Sequence, residues 1–248
     1  MSALELRGLR KSFGSLTVTD DVNLDIVAGQ RHALIGPNGA GKTSLVHQIA
    51  GQLAPDAGSI HLDGRRIDGL PPERICRLGL ARAFQRNSLF RDLTARQNVR
   101  LAVQSRHGPR WNPFVRIDDN RMLADLADAS LARVGLAHRA QVTVRALSYG
   151  ECRQLEIAIA LACEPKVLLL DEPTSGISPT ETRQIAELIG SLPPSIAILL
   201  VEHDMDVVFA LAHRITVLHR GAVLASGTPD EIATDPAVRE VYLGMRGT

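Results

Sequence analysis

Lysine is scarce in this chain: Lys11, Lys42 and Lys166 are its only lysines, and arginine supplies the remaining fixed positive charge. That bias reads as genome composition and sets Lys42 apart for its surroundings. Charge of one sign is also missing. The formal net charge is +1 over 248 residues, so no global field draws in nucleic acid or anionic lipid. The cysteines, Cys76, Cys152 and Cys163, are odd in number and widely spaced. They suggest neither a disulfide framework nor a zinc site, and a reduced cytosolic setting is expected. No apolar signal core stands in MSALELRGLRKSFG, and the apolar runs, Ile196 to Val201 among them, are far too short to cross a bilayer. Internal repeats, long heptad series and low-complexity linkers are lacking as well. What remains is an ordinary globular composition, 45% hydrophobic and 22% charged, long enough for one large or two small domains.

Three short apolar runs each end in a turn rich in chemistry. RHALI leads into GPNGAGKT, KVLLL into DEPTSG, and IAILLV into EHD. The runs are too short for typical helices and read as buried strands. Helical patterns lie between them, over 43–52, 151–163 and 180–190. Alternating strands and helices predict a mainly parallel α/β sheet, whose ligands bind beyond the carboxyl ends of its strands. All three loaded turns sit at such ends and can share one site. The flanks differ. Residues 5–26 and 59–67 alternate apolar and polar, which predicts an antiparallel portion. ITVLHRGAVLASG reads as two strands joined at Arg220 and Gly221. The middle, about 87–145, is mostly helical, with an interruption at HGPRWNP.

GPNGAGKT, Gly36 to Thr43, matches G-x-x-x-x-G-K-[ST] in full, with a strand before it and a helix after it. The N–H groups of Asn38, Gly39, Ala40, Gly41 and Lys42 can wrap phosphates, and the helix N-terminus adds a favourable field. Lys42 is expected to reach the β- and γ-phosphates and Thr43 to ligate Mg²⁺. Gly36, Pro37 and Ser44 complete the expected nucleotide contacts. Adjacent acids at a strand end commonly face solvent. Asp171 and Glu172 instead close a wholly apolar run aimed at the same edge, where Asp171 can hold Mg²⁺ through water and Glu172 can polarise an attacking water. A lone histidine is more often structural, but His203 ends a third strand, which puts it within reach of the γ-phosphate. Gln85 is a polar loop residue that can reach the metal. Phe13 either packs in a core or stacks on a base.

LSYGECRQ, from Leu147, opens another helix. Ser148 is a good N-cap, and Glu151 three residues on completes a capping box. Tyr149 and Gly150 in the first turn serve no cap. Glycine weakens a helix by about 1 kcal/mol relative to alanine but lets a ligand oxygen approach the backbone. The reading is a second anion site with Ser148 and Gly150 at its lip. One chain fills one P-loop, so this lip is expected to face nucleotide bound to another chain.

Together and in this order, the motifs resemble the ATP-binding subunit of ABC transporters across essentially the whole chain. GPNGAGKT is similar to the Walker A motif, Gln85 to the Q-loop, LSYGE to the signature, VLLLDE to the Walker B motif, SGIS to the D-loop and His203 to the switch histidine. Phe13 falls where that family has its adenine-stacking aromatic. More narrowly, LSYGECRQLEIAIAL, DEPTSGISPTET, LLVEHDMDVVF, LASGTPDEI and VYLG resemble the branched-chain amino acid importer ATPases of the LivG type, as do ARAFQRNSLFRDLTARQNV and the insert after it.

The resemblance implies a P-loop NTPase (RecA-like) α/β core, an antiparallel β subdomain and a helical ABC-specific subdomain. The core and β parts would span about 1–86 and 155–248, the helical part about 87–154. It also implies ATP and Mg²⁺, two ATP molecules between paired nucleotide-binding subunits (identical or different), two transmembrane permeases, and a periplasmic solute-binding protein. The chain would sit in the cytoplasm on the inner face of the membrane. There are departures. LSYGE replaces the commoner LSGGQ. Ser178 stands where the D-loop usually ends in an acid. Cys152 stands where a polar residue is expected, and is either an early helix position or an oxidisable thiol beside the dimer seam. In the insert, Arg106, Arg110, Arg116 and Arg121 with Trp111 and Phe114 read as a solvated hairpin first and as a permease or lipid contact second. Rival readings are a soluble ABC ATPase acting on DNA or ribosomes, a P-loop kinase, and a lipopolysaccharide-export ATPase. The first lacks its coiled coil or second domain, the second leaves LSYGE and His203 unexplained, and VEHDMDVVF with LSYGE favours the importer over the third.

Overall fold

The computed structural model describes residues 2–83, 89–107 and 121–243, with the side chains of the last two residues excepted. Gln85 and most of the arginine-rich insert, from Gly108 to Asn120, lie outside the described residues.

Two sheets share the load. In the first, β1 (Ser2–Phe13) pairs antiparallel with β2 (Leu16–Val27) and β4 (Ala57–Leu62), and β4 with β5 (Arg65–Arg66). Alternation decides its faces. Val22, Leu24 and Ile26 point inward, while Asn23 and Asp25 point outward. The second sheet has the order β10-β9-β3-β8-β7-β6. Its strands β3 (Arg31–Ile35), β6 (Leu80–Ala83), β7 (Val167–Asp171), β8 (Ala197–Val201) and β9 (Arg214–His219) are parallel. β10 (Ala222–Gly227) returns antiparallel beside β9 through the turn at Arg220 and Gly221, both at positive φ.

The apolar runs of β7 and β8 are covered on both faces, as a parallel sheet requires. Leu168, Leu170, Ile198 and Leu200 pack on one side with α5 (Tyr149–Leu161) and α6 (Pro179–Gly190). Val167, Leu169, Ala197 and Leu199 pack on the other with α1 (Lys42–Ile49) and the antiparallel sheet. Between β6 and α5 lie α3 (Ala95–His107) and α4 (Arg121–Arg133), which bury Val99, Val103, Leu123 and Leu131 against Leu155 of α5. α2 (Pro72–Leu78) precedes β6, α7 (Met205–Leu211) follows β8, and α8 (Pro229–Thr234) and α9 (Pro236–Leu243) close the chain.

Register aligns the functional edge. Leu34 pairs with Val201, and Val201 with Asp171, so β3, β8 and β7 end level. The segments starting at Gly36, Glu172 and Glu202 therefore leave the sheet side by side.

A buried histidine inside β3 has a pH consequence. The His32 Nε2 lies 2.7 Å from Thr216 Oγ1, and Nδ1 has no hydrogen-bond partner among the described residues. Burial first, and Arg214 second, push its pKa down to about 4. The folded state thus rejects a proton that the unfolded chain accepts below its ordinary pKa. Stability contributed by neutral His32 is present at neutral pH and is lost as pH falls from about 6.5 toward 4, some ~2 kcal/mol of it by about pH 5. Urea unfolding should show that loss, and His32→Gln should flatten it.

Candidate functional site

The loop Gly36–Gly41 is held by its neighbours. Gly221 N donates to Ala40 O at 2.9 Å, and Asp20 N to Gly221 O at 2.8 Å, tying the loop to the β9–β10 turn and to β2. Two glycines are sterically required. A Cβ on Gly36 would lie 2.2 Å from Leu218 O, and one on Gly41, at φ +103°, 2.3 Å from Val18 O. Asn38, Gly39 and Thr43 are exposed along the open side, while Lys42 is buried. Its Nζ folds back to donate to Gly36 O at 2.6 Å and Pro37 O at 2.9 Å. Burial lowers the Lys42 pKa, opposed by the charges of Glu172 and Asp171. Those carboxylates are therefore electrostatic neighbours of the loop lysine.

Asp171 is ion-paired with Arg82 of the adjacent strand at 2.7 Å, and Arg82 in turn donates to Gln52 Oε1 at 2.5 Å. Glu172 sits in the left-handed region, at φ +53°, a costly conformation for a residue with a Cβ. Its N–H donates to Val201 O at 2.8 Å, which holds the turn. His203 Nε2 donates to Glu172 Oε1 at 2.7 Å. The donors Thr43 and Asp171 are oxygens, a set that suits a hard cation such as Mg²⁺.

Glu202, which the sequence reading passed over, is buried between these elements. Its Oε1 accepts from Thr174 N at 2.9 Å and Thr174 Oγ1 at 2.5 Å, and its Oε2 accepts from His203 N at 2.8 Å. It couples the segment after Glu172 to the segment carrying His203. A polar residue that ends an all-apolar strand is the only sequence signal for it.

The N-terminus of α5 has the expected capping box. Glu151 N donates to Ser148 Oγ at 3.1 Å and Ser148 N to Glu151 Oε2 at 2.8 Å, with Arg139 Nε 2.8 Å from Glu151 Oε1. An oxygen does approach Gly150, but it belongs to the same chain. Gly150 N donates to Glu181 Oε1 at 3.2 Å, and a Cβ at Gly150 would lie 2.5 Å from that oxygen. Glu181 also completes a second capping box with Ser178, the residue that replaces the usual D-loop acid. Hydrogen bonds to the Ser178 backbone and side chain hold its carboxyl below the ordinary range. Among the described residues, the hydrogen bonds between Ser148 or Gly150 and side chains run to Glu151 and Glu181, and none runs to Gly36–Ser44.

Phe13 is not a core residue. It is 53% exposed at the tip of the β1–β2 hairpin, with Lys11 Nζ 5.5 Å from the ring centroid. Cys152 is half-buried against the core, and burial raises its pKa, which argues against a reactive thiol there.

Comparison with known proteins bears on this arrangement. The ABC transporter family model matches residues 19–175, and a model of the branched-chain amino acid ATP-binding cassette transporter matches residues 222–244. The chain is 38% identical over 249 aligned residues to the high-affinity branched-chain amino acid transport ATP-binding protein LivG of Escherichia coli K12, covering 97% of each. It is 36% identical to the lipopolysaccharide export system ATP-binding protein LptB of Acidithiobacillus ferridurans, over 97% of this chain and 96% of that one. A crystal structure of the ADP conformation of an ATP-binding cassette of an ABC transporter superposes with a TM-score of 0.85 at 26% identity, over 98% of this chain and 99% of that one. The chain belongs to the ABC transporter ATP-binding proteins, in the branched-chain amino acid (LivG/BraF-like) family. It is an ABC transporter ATPase with the ATP-binding cassette fold, and a subunit of a transporter complex. No described helix is long and apolar enough to cross a membrane.

Proposed function

We propose that this chain powers an importer of branched-chain amino acids or closely related small solutes, through ATP held between two nucleotide-binding subunits. The match of residues 222–244 to the branched-chain transporter model carries the importer reading over the lipopolysaccharide-export one. In this reading the chain docks from the cytoplasm on two permeases, which a periplasmic binding protein supplies with solute. Deleting the gene should abolish uptake of radiolabelled leucine, isoleucine and valine at low external concentration, and the restored gene should return it. Unchanged uptake of all three would remove the amino-acid assignment.

The contacts above support the following roles at the site. Phe13 offers its exposed face to adenine. The N–H groups from Asn38 to Lys42 receive the phosphates, and Lys42 turns from the loop carbonyls to the β- and γ-phosphates. Ser44, next on α1, adds a hydroxyl near the α-phosphate. Thr43 and Asp171, with Gln85, would hold Mg²⁺, which neutralises charge developing on the phosphate oxygens. Glu172 accepts the proton of the attacking water. His203 keeps the Glu172 carboxylate turned toward that water, and its other contacts are set by Glu202. Bond formation from water oxygen to γ-phosphorus accompanies cleavage of the β–γ bridge, with ADP leaving.

Ser148 and Gly150 receive the γ-phosphate of ATP bound to the opposite subunit. Glu181 then occupies the seat that this phosphate takes, and must swing away as the subunits close. Glu181→Gln removes its charge and keeps its shape. That variant should need several-fold less ATP for half-maximal subunit association, read by light scattering. An increased ATP requirement would mean that Glu181 supports the closed state instead.

A further inference from the structure

Cys76 and Cys163 are far apart in sequence and close in space. The cause is strand register. Cys76 stands four residues before Leu80, the first residue of β6, and Cys163 four residues before Val167, the first residue of β7. Leu80 and Val167 are paired in the parallel sheet, and Gly79 O accepts from Lys166 N at 2.7 Å and Val167 N at 3.0 Å. Equal spacing before two paired strands brings the end of α2 and the turn after α5 to the same level.

The two thiols line one cavity of about 160 Å³, together with Ile75, Arg82 and Ile159. Each thiol is the strongest influence on the other's ionisation, and Cys163 Sγ also lies 3.6 Å from Ile159 O. Both are half-buried, and neither is in a disulfide. Arg106, from the end of α3, lies over them. Its Nη1 donates to Arg77 O at 2.7 Å and its Nε is 3.9 Å from Glu164 Oε2.

The electrostatics divide the labour. The neighbouring thiol, with Arg106 and Arg77, lowers the Cys76 pKa, whereas the same neighbour and burial raise that of Cys163. Cys76 is thus the thiol that ionises first, and thiolates are the nucleophiles in disulfide exchange.

We propose that Cys76 and Cys163 form a redox dithiol that closes to a disulfide joining α2 to the turn after α5, with a small-molecule disulfide such as oxidised glutathione as oxidant. The Cys76 thiolate attacks one sulfur of the oxidant and expels the first glutathione thiolate. Cys163 loses its proton to solvent and attacks Cys76 Sγ in the mixed disulfide, forming the protein S–S bond and expelling the second glutathione thiolate. The protein loses two electrons and two protons, and one oxidised glutathione becomes two reduced ones. Cys152 takes no part. The bridge ties together the amino ends of β6 and β7, opposite the edge that bears Asp171 and Glu172. This inference is independent of the transported solute.

The test uses the full-length reduced protein with oxidised glutathione, followed by intact mass and non-reducing peptide mapping. The expected product has lost two hydrogens, links the Cys76 and Cys163 peptides, and keeps one free thiol, at Cys152. Its thermal midpoint should rise and return with dithiothreitol, because the bridge closes a long loop. Cys163→Ser should stop at a single glutathione adduct on Cys76, and Cys76→Ser should form no cross-link. Stable adducts on both cysteines without a link, first reaction at Cys152, or no reaction at Cys76 would each overturn the proposal.

Discussion

Lys42→Ala should abolish tight binding of Mg-ATP. The proposed phosphate site has one cationic side chain inside the loop, and the near-neutral chain supplies no general field to replace it. Lys42 is buried, and its hydrogen bonds to the described residues run to two carbonyls of its own loop. Those carbonyls are neutral acceptors, whereas the β- and γ-phosphates are anionic and add the attraction of opposite charges to the hydrogen bonds of the ammonium. The exchange therefore favours the nucleotide-bound state, and alanine removes that gain while opening a small void under the loop. Loss of affinity should be about a hundredfold or more, on the order of 3 kcal/mol for a charged partner removed from a partly buried site. Isothermal titration with ATP reads it directly. The fold should survive, since the backbone bond from Gly221 N to Ala40 O still ties the loop when the Lys42 side chain is gone. Wild-type affinity and turnover in this variant would remove the P-loop from the account.

Glu172→Gln should separate binding from hydrolysis. The amide keeps the shape and can still hydrogen-bond His203, but it cannot take a proton from water. Turnover should fall by about 10²-fold or more, the scale of a lost general base. ATP affinity should hold, because the residues proposed to bind phosphate are untouched. A variant that hydrolyses at the normal rate would exclude Glu172 as the base.

Local signals were legible in the sequence because local physics produces them. The three apolar runs had to be buried strands, and their ends had to meet at one edge if the sheet was parallel. The Ser148–Glu151 capping box needs only four consecutive residues. Contacts between distant segments left no such mark. Glu181 meets Gly150 because α6 packs beside α5, and nothing in either stretch alone shows it. Glu202 joins Thr174 across two strand ends. Cys76 and Cys163 looked unrelated until the β6–β7 register brought them level. Phe13 was ambiguous for the same reason, since stacking and core packing need the same residue type and only its position on a hairpin tip separates them.

The central claim is that ATP on one subunit is completed by Ser148 and Gly150 of the other. The most direct measurement is ATP-dependent association of the Glu172→Gln protein, with a second copy or with a partner ATPase, compared with the same protein carrying Ser148→Arg. Size-exclusion chromatography with light scattering reads the assembly, and ATP titration of the isolated chain reads its own site. A stable ATP-bound pair is expected for Glu172→Gln, no pair once Ser148→Arg is added, and unchanged ATP binding to the isolated chain in both. Association of the Ser148→Arg protein as strong as that of its parent would contradict it.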